Sequence, residues 1–453
     1  MFSQNYPVTC NTNNVSAGCT FVAIKGFTAD GNAFIKRAIE LGAKKIVSDQ
    51  LNTDIINFCK LNNIEFIHVK NARKALAQLS AKSLKINKIK TKIIGITGTK
   101  GKTSTTYIID FILKYNNFKT ALIGTIANKI LDKKFETINT TPDSDYLHMF
   151  LSECDKNNIN YLIMEVSAHA LSLHRVNSLK FDAIGFTNLA HEHLDYYKNI
   201  KNYFKAKLKI FSKTKKSSFA VINTDNIWGQ KTLEIINTKY KTKKNLINLD
   251  KNIFNKIKNF IPSCMPGEFN LYNFGMSYLI CKNLGLQDNE IFNAMQNFSG
   301  VPGRLQLHTL KNGARAFVDY AHNPSSMEEV LKTLRPLTNN LITVFGCGGN
   351  RDKEKRPIMG NIATKYSDSV IITDDNPRFE DPKIIIQEIL TGINKSDLNK
   401  IKIISDRKLA IAQAVKISGP NSIIAILGKG HEDYHLVAGQ KFHFDDFEEI
   451  CKF

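Results

Sequence analysis

Ile93-Ile94-Gly95-Ile96-Thr97-Gly98-Thr99-Lys100-Gly101-Lys102-Thr103-Ser104 is the stretch that decides the fold. Its first five residues are an apolar strand, and Lys102 onward reads as a helix. The turn between them carries glycines that let backbone N–H groups face phosphate oxygens. Lys102 supplies a positive charge for β/γ-phosphates, and the Thr103 hydroxyl suits Mg²⁺. The common pattern places a glycine five positions before Gly101, but Ile96 stands there and Gly98 lies three before. Gly98, Thr99, Lys100, Gly101, Lys102, Thr103 and Ser104 are therefore the expected nucleotide-phosphate contacts.

Strand-length apolar runs alternate with helical patterns on both sides of this loop, as a parallel sheet covered on both faces requires. Strands are expected at Ile93–Thr97, Leu122–Gly124, Tyr161–Val166, Ala183–Thr187 and Ala220–Asn223, with helices opening near Lys102, Ser144, Ile200 and Phe269. Upstream, 30–41 has a helical apolar face closed by Gly42, 45–47 and 64–69 read as strands, and 71–84 as a helix. The Lys-rich segment 85–92 reads as a linker. Downstream, strands at 316–319, 341–345, 369–373, 401–404 and 423–427 make a second doubly wound sheet, with Pro302-Gly303 as a hinge. The expected class is α/β with three domains: 1–88, small and α/β; 89–300, a P-loop ATPase-type parallel sheet; 301–453, Rossmann-like.

The 453 residues carry 62 Lys plus Arg against 41 Asp plus Glu, a formal charge of +21. Lysines dominate and are interspersed with Asn and Ile. A base-reading surface would cluster arginines with aromatics, so no nucleic-acid partner is expected, and a nucleic-acid-stimulated ATPase is the weaker alternative. No apolar run approaches the ~20 residues that span a bilayer, and the N-terminus lacks a signal-peptide pattern. The expectation is a cytoplasmic protein, not inserted in a membrane, and a monomer. Eight scattered cysteines form no CxxC pair, which signals neither a zinc site nor a disulfide framework.

Polar residues follow the central strands. Glu165 ends one of them, where ligand residues collect in open α/β sheets, and a carboxylate suits Mg²⁺. Another leads into Asn188-Leu189-Ala190-His191-Glu192-His193-Leu194-Asp195, and a helix then carries Tyr203-Phe204-Lys205-Ala206-Lys207. The order EVSAHAL, FTNLAHEHLDY, YFKAKLKIF resembles the Mur ligase family. In that family the lysine at the Lys207 position is carbamylated, becoming an anionic oxygen ligand. The resemblance implies catalytic roles for Lys102, Lys207, His193 and Glu165. It implies two Mg²⁺ ions as cofactor, one held by Glu165, His193 and Lys207 as carbamate, the other engaged by Thr103 and the phosphates.

The resemblance reaches nearly the whole chain. It implies that Asn270 in GEFNLYN faces the adenine, Arg304 in VPGRL reaches ATP phosphate, and Asp319 in DYAHNP binds the ribose. The segments GCGGNRDKEKRP (346–357) and Asp375-Asn376-Pro377-Arg378 resemble the members that add meso-diaminopimelate. A planar guanidinium at Arg378 would pair both oxygens of its distal carboxylate, a group that L-lysine lacks, so addition of lysine is the alternative. Gly428 and Glu432 in GKGHE complete this implied pocket with Asp375, Asn376 and Pro377. Thr140, Thr141, Ser167 and Arg175 match contacts to UDP-MurNAc-L-Ala-D-Glu. Near the N-terminus the family's Asp-Ser-Arg is replaced by Asn11-Thr12-Asn13. Thr12 can offer a hydroxyl to the uridine end, but Asn13 cannot replace the arginine charge. The implied activity is an ATP-dependent ligation through an acyl-phosphate. Folylpolyglutamate synthase, which shares the short phosphate loop, is disfavoured by the DNPR and GCGG segments.

Overall fold

The computed structural model describes residues 2–27, 29–137, 139–239 and 245–453. The chain divides into two compact units, Met1–Phe260 with Tyr272–Met295, and Ile261–Leu271 with Gln296–Phe453.

The first unit holds two sheets. Val8–Thr9, Thr20–Ala23, Lys45–Ser48 and Glu65–His68 form a parallel sheet in chain order. Successive strand residues point to opposite faces, so Phe21 and Ile46 pack with Ile35, Ala38 and Cys59, while Val22 and Val47 pack with Val8, Ala72 and Leu76. The helix expected over 30–41 starts as a tight 3₁₀ turn, Gly31–Phe34, because Asp30 caps Asn32 N at 2.9 Å; the α-helix proper is Ile35–Glu40. Asn71 caps Ala72–Ser83 through Lys74 N at 2.8 Å. The segment expected as a linker is seated, since Ile86 and Ile89 pack against the central core.

The second sheet runs Asn245–Leu249, Thr214–Asn223, Phe181–Phe186, Lys92–Thr97, Tyr161–Glu165, Thr120–Ile123, all parallel, and ends on the antiparallel pair Asn128–Ile130 and Lys133–Phe135. That pair and the outermost Asn245–Leu249 strand are short and partly polar, and carry no periodic signal. Register places Ile96 beside Glu165 and Thr97 beside Phe186. The loops after these three strands therefore emerge together.

The two sheets of this unit are joined by buried polar contacts. Thr9 Oγ1 and Cys10 N donate to Asp145 Oδ2 at 2.9 and 3.1 Å. Ser80 Oγ gives its hydrogen to Leu76 O (2.6 Å) and lies 2.7 Å from His148 Nδ1. Nδ1 must then be the protonated nitrogen, donating to Ser80, and buried Nε2 has no hydrogen-bond partner. Burial holds the His148 pKa down to about 3, against 6.5 when exposed. The unfolded chain takes up a proton below 6.5 that the folded chain refuses. This contribution to stability is complete above 6.5 and shrinks as pH falls towards 3, by about 2 kcal/mol at pH 5. His148→Leu is expected to remove that loss, seen as a smaller drop in urea-unfolding free energy between pH 7.5 and pH 5. An unchanged drop would show that the ring titrates normally in the fold.

The second unit has a six-stranded sheet, Gln306–Thr309, Arg315–Asp319, Ser422–Leu427, Asn340–Phe345, Ser369–Ile372, Ile401–Ile403, antiparallel only at its first pair. Leu427 pairs with both Asp319 and Phe345, so the loops after those strands share one edge. The hairpin Tyr434–Val437/Gln440–His443 stands outside this sheet. Among the described residues no helix is long and apolar enough to cross a membrane.

Candidate active site

The phosphate loop takes its shape from the loop of the neighbouring strand. Gly98 and Gly101 adopt φ of +150° and +82°. A Cβ on Gly98 would lie 1.9 Å from Thr187 Oγ1, so only glycine allows this approach. Thr187 Oγ1 donates to Lys100 O (2.7 Å), Asn188 O accepts from Thr99 N (3.0 Å), and Asn188 Oδ1 accepts from Lys100 N (2.9 Å). Lys102 opens the helix Lys102–Tyr115, and its ammonium folds back onto Gly98 O (3.0 Å) and Thr99 O (2.8 Å). Thr103 and Ser104 are buried on the first turn.

Thr103 points at Glu165, with Oγ1 3.0 Å from Oε1. Sequence reasoning missed the rest of the Glu165 environment. Thr125 N donates to Oε1 at 2.7 Å and Thr125 Oγ1 to Oε2 at 3.2 Å. Gly124 leaves the room, since a Cβ there would stand 2.5 Å from Oε1. The available signal was that Gly124-Thr125 also ends a central strand.

Lys207 lies on the helix Ile200–Leu208, fully buried, with Nζ donating to Gly98 O at 2.6 Å and 4.5 Å from the Tyr203 ring centroid. Burial pushes its pKa well below the usual lysine value, and the Lys102 charge pushes it further. Among the described residues no carboxylate forms an ion pair with it. His193, at φ +58°, is half-exposed; its ring is 4.9 Å from His169 and 5.8 Å from Tyr203, and burial lowers its pKa. Among the described residues no group of three His, Cys, Asp or Glu side chains could hold a metal. The expected set has only Glu165 and His193 of that kind, so it fits a hard cation only if Lys207 becomes an oxygen donor.

Beside Glu165 runs a polar strip. Thr141 Oγ1 donates to Glu165 O (2.9 Å) and accepts from Ser167 N (3.1 Å). Ser167 caps Ala168–Ser172, and Thr140 Oγ1 is 3.1 Å from Thr125 Oγ1. Arg175 reaches Thr141 O at 2.8 Å and pairs with Asp143 at 2.8 Å. Thr12 opens a 3₁₀ turn whose preceding residues are tied to Asp145, and none of the strip's side chains bonds to it directly. The first unit thus gathers Gly98–Ser104, Glu165, Lys207, Thr140, Thr141, Ser167 and Arg175.

The second unit gathers the other set. Arg378, at φ +57°, donates to Gly349 O at 2.9 Å, and its backbone is clamped by the hairpin: Arg378 N donates to Leu436 O (3.0 Å), and Ala438 N to Arg378 O (2.6 Å). A Cβ on Gly349 would lie 1.9 Å from Pro377 O, and one on Gly428 2.6 Å from Asp375 Oδ2. Asn376 Nδ2 donates to Glu432 Oε2 at 2.8 Å. Burial and Asp375 raise the Glu432 pKa. Asp375, Asn376, Pro377, Arg378, Gly428 and Glu432 therefore form one cluster. The hairpin that holds Arg378 was not legible from sequence.

Asp319 is buried, and its oxygens accept from Leu305 N and Ala321 N, both at 2.8 Å. Burial raises its pKa. The Arg304 guanidinium stands 4.7 Å from the Tyr320 ring centroid. Asn270 is buried on the first turn of Glu268–Asn283, with Nδ2 donating to Pro266 O at 2.9 Å.

Three family models match consecutive segments: Mur ligase family, catalytic domain, over 6–83; Mur ligase middle domain over 96–281; and Mur ligase, glutamate ligase domain, over 303–430. The chain is 40% identical to UDP-N-acetylmuramoyl-L-alanyl-D-glutamate--2,6-diaminopimelate ligase of Clostridium tetani, covering 97% of this chain and 93% of that one. A ligase of the same name from Aquifex aeolicus is 37% identical over 98% and 92% of the two chains. A solved structure of a ligase of that name superposes with a TM-score of 0.67 at 26% identity, over 99% of this chain and 94% of the other.

Proposed function

The chain belongs to the Mur ligase family, and on that premise we propose that it is an ATP-dependent ligase joining meso-2,6-diaminopimelate to the D-glutamate carboxylate of UDP-N-acetylmuramoyl-L-alanyl-D-glutamate. The relatives' names support the reaction. They do not favour the alternatives of lysine addition or a nucleic-acid-stimulated ATPase. We assign 1–88 to the uridine end of the substrate, 89–300 to ATP activation and 301–453 to the amino acid.

A carboxylate is a poor acyl donor and must first be activated. A γ-carboxylate oxygen of D-glutamate attacks the γ-phosphorus of ATP, and ADP leaves. The α-amine of diaminopimelate then attacks the acyl-phosphate carbon, the amine loses a proton, and inorganic phosphate departs with the amide formed. Lys102 would exchange its loop carbonyls for the β/γ-phosphates, placing charge where it develops. Thr140, Thr141, Ser167 and Arg175 would hold the muramoyl-dipeptide beside Glu165, with Thr12 towards the uridine. Asn270, Arg304 and Asp319 are assigned to the nucleotide.

Lys207 supports the carbamate reading. Burial and the Lys102 charge both favour the neutral amine, whose lone pair can attack CO₂. An N–C bond forms, one amine proton is lost, and the product is an anion beside Lys102. Glu165, His193 and carbamylated Lys207 would then hold one Mg²⁺ and Thr103 would engage a second, the pair supplying Lewis-acid stabilisation of phosphoryl oxygens.

The observation carrying the amino-acid assignment is the Arg378 guanidinium, anchored at both backbone ends and set in one cluster with Glu432. A cation for the distal carboxylate and an anion for the distal ammonium match diaminopimelate. The test is ligation with UDP-muramoyl-dipeptide, ATP and either diaminopimelate or lysine, and turnover with lysine alone would overturn the assignment. Arg378→Ala is expected to raise the diaminopimelate KM about 10²-fold, the loss of one paired charge. Its KM for ATP should stay unchanged, as steady-state kinetics with each substrate varied would show.

A further inference from the structure

Lys429 is completely buried beside the Asp375–Arg378 cluster, an expensive place for an ammonium. It follows Gly428 and precedes the turn that carries Glu432, whose N–H donates to Lys429 O at 3.0 Å. Its Nζ donates to Tyr434 O and, at 3.2 Å, to Asn376 Oδ1. The same Oδ1 accepts from Leu436 N at 2.8 Å. Two donors on one oxygen decide which way the Asn376 amide faces, because an NH₂ group turned towards them would leave donor against donor. With Oδ1 so fixed, Nδ2 can only point at Glu432 Oε2, 2.8 Å away. Tyr320 OH, at 3.4 Å from Oε1, is a second donor to that carboxylate. Leu436, whose N–H shares Oδ1 with Lys429, also accepts from Arg378 N through its carbonyl.

We propose that Lys429 is a positioning residue for amino-acid recognition: by fixing the Asn376 amide it holds the Glu432 carboxylate where it takes the incoming ammonium, and it ties that end of the pocket to the Arg378 end. This rests on reading the cluster as the diaminopimelate pocket. Lys429 does not itself touch the amino acid. Its charge also opposes the desolvation that favours protonation of Glu432.

The test is a double-mutant cycle on the full chain with Lys429→Met and Asn376→Ala, measuring KM for all three substrates and dipeptide-dependent ATP activation by positional isotope exchange. Lys429→Met is expected to raise the diaminopimelate KM about thirtyfold, the worth of one misplaced charged hydrogen bond. KM for ATP and for the nucleotide dipeptide, and isotope exchange, should stay within about twofold, as expected of groups outside the pocket. In the Asn376→Ala background the Lys429 change should add less than about threefold, because the two act through one contact. A full thirtyfold in that background, or equal damage to all three KM values, would show a merely structural lysine and overturn the proposal. So would a single variant with unchanged KM. If Lys429→Met yields no folded protein, Lys429→Leu, which also lacks the donor, carries the same cycle under the same criteria. Wild-type enzyme that fails to ligate diaminopimelate would instead sink the functional reading, and that arm is scored first.

Discussion

Replacing Lys207 by methionine or arginine is expected to lower ligation by about 10³-fold or more, roughly 4 kcal/mol of transition-state stabilisation. The two variants test different things and should agree. Methionine keeps the apolar stem against Tyr203 but removes the donor to Gly98 O. Arginine keeps a donor and a charge, yet cannot form the carbamate and would place a permanent cation beside Lys102. If Lys207 were only a strut for the phosphate loop, arginine would retain most activity, and more than a tenth remaining would sink the carbamate reading. A second measurement is independent of mutation. Stripping CO₂ from the buffer should inactivate wild-type enzyme, bicarbonate should restore it, and native mass spectrometry should show one CO₂ gained and lost.

Lys102→Met is expected to cost about 10³-fold in dipeptide-dependent ADP formation, the range seen when one preorganised cationic or oxyanion donor is removed. The loop itself should survive, because Thr187 and Asn188 hold its backbone independently of the Lys102 side chain. Nucleotide binding, followed by calorimetry, should therefore weaken far less than turnover. The variant should also carry less CO₂ on Lys207. Lys102 is a cause of the lowered Lys207 pKa, and without it the amine is more often protonated and its carbamate less stabilised. Undiminished CO₂ occupancy would disconnect the two lysines.

Much of the α/β pattern was legible because the inner strands are apolar on both faces. Ile93–Thr97, Tyr161–Val166 and Ile423–Leu427 could be little else, and the structure moves their ends by a residue or so. Most of what escaped sequence reading lies at sheet edges, although Thr20–Ala23, paired on both sides within its sheet, escaped too. Asn128–Ile130, Lys133–Phe135, Asn245–Leu249, Gln306–Thr309 and the 434–443 hairpin are held by pairing with a neighbour, and no period of their own announces them. The site divides the same way. Gly98, Lys102 and Thr103 announce a phosphate loop through local spacing. Gly124 and Thr125 announce only that they end a central strand, and Lys429 announces nothing, because their importance comes from which carboxylate or amide they meet in the fold.

By itself, then, the order of residues determined the parallel sheets, the phosphate loop and the chemical types gathered after each strand, since those depend on local periodicity and backbone freedom. Only the tertiary structure decided that Lys207 is a desolvated amine on the Gly98 carbonyl and that Arg378 is clamped by a hairpin far along the chain. Burial and long-range hydrogen bonding change what a side chain can do, and neither is a property of its neighbours in sequence.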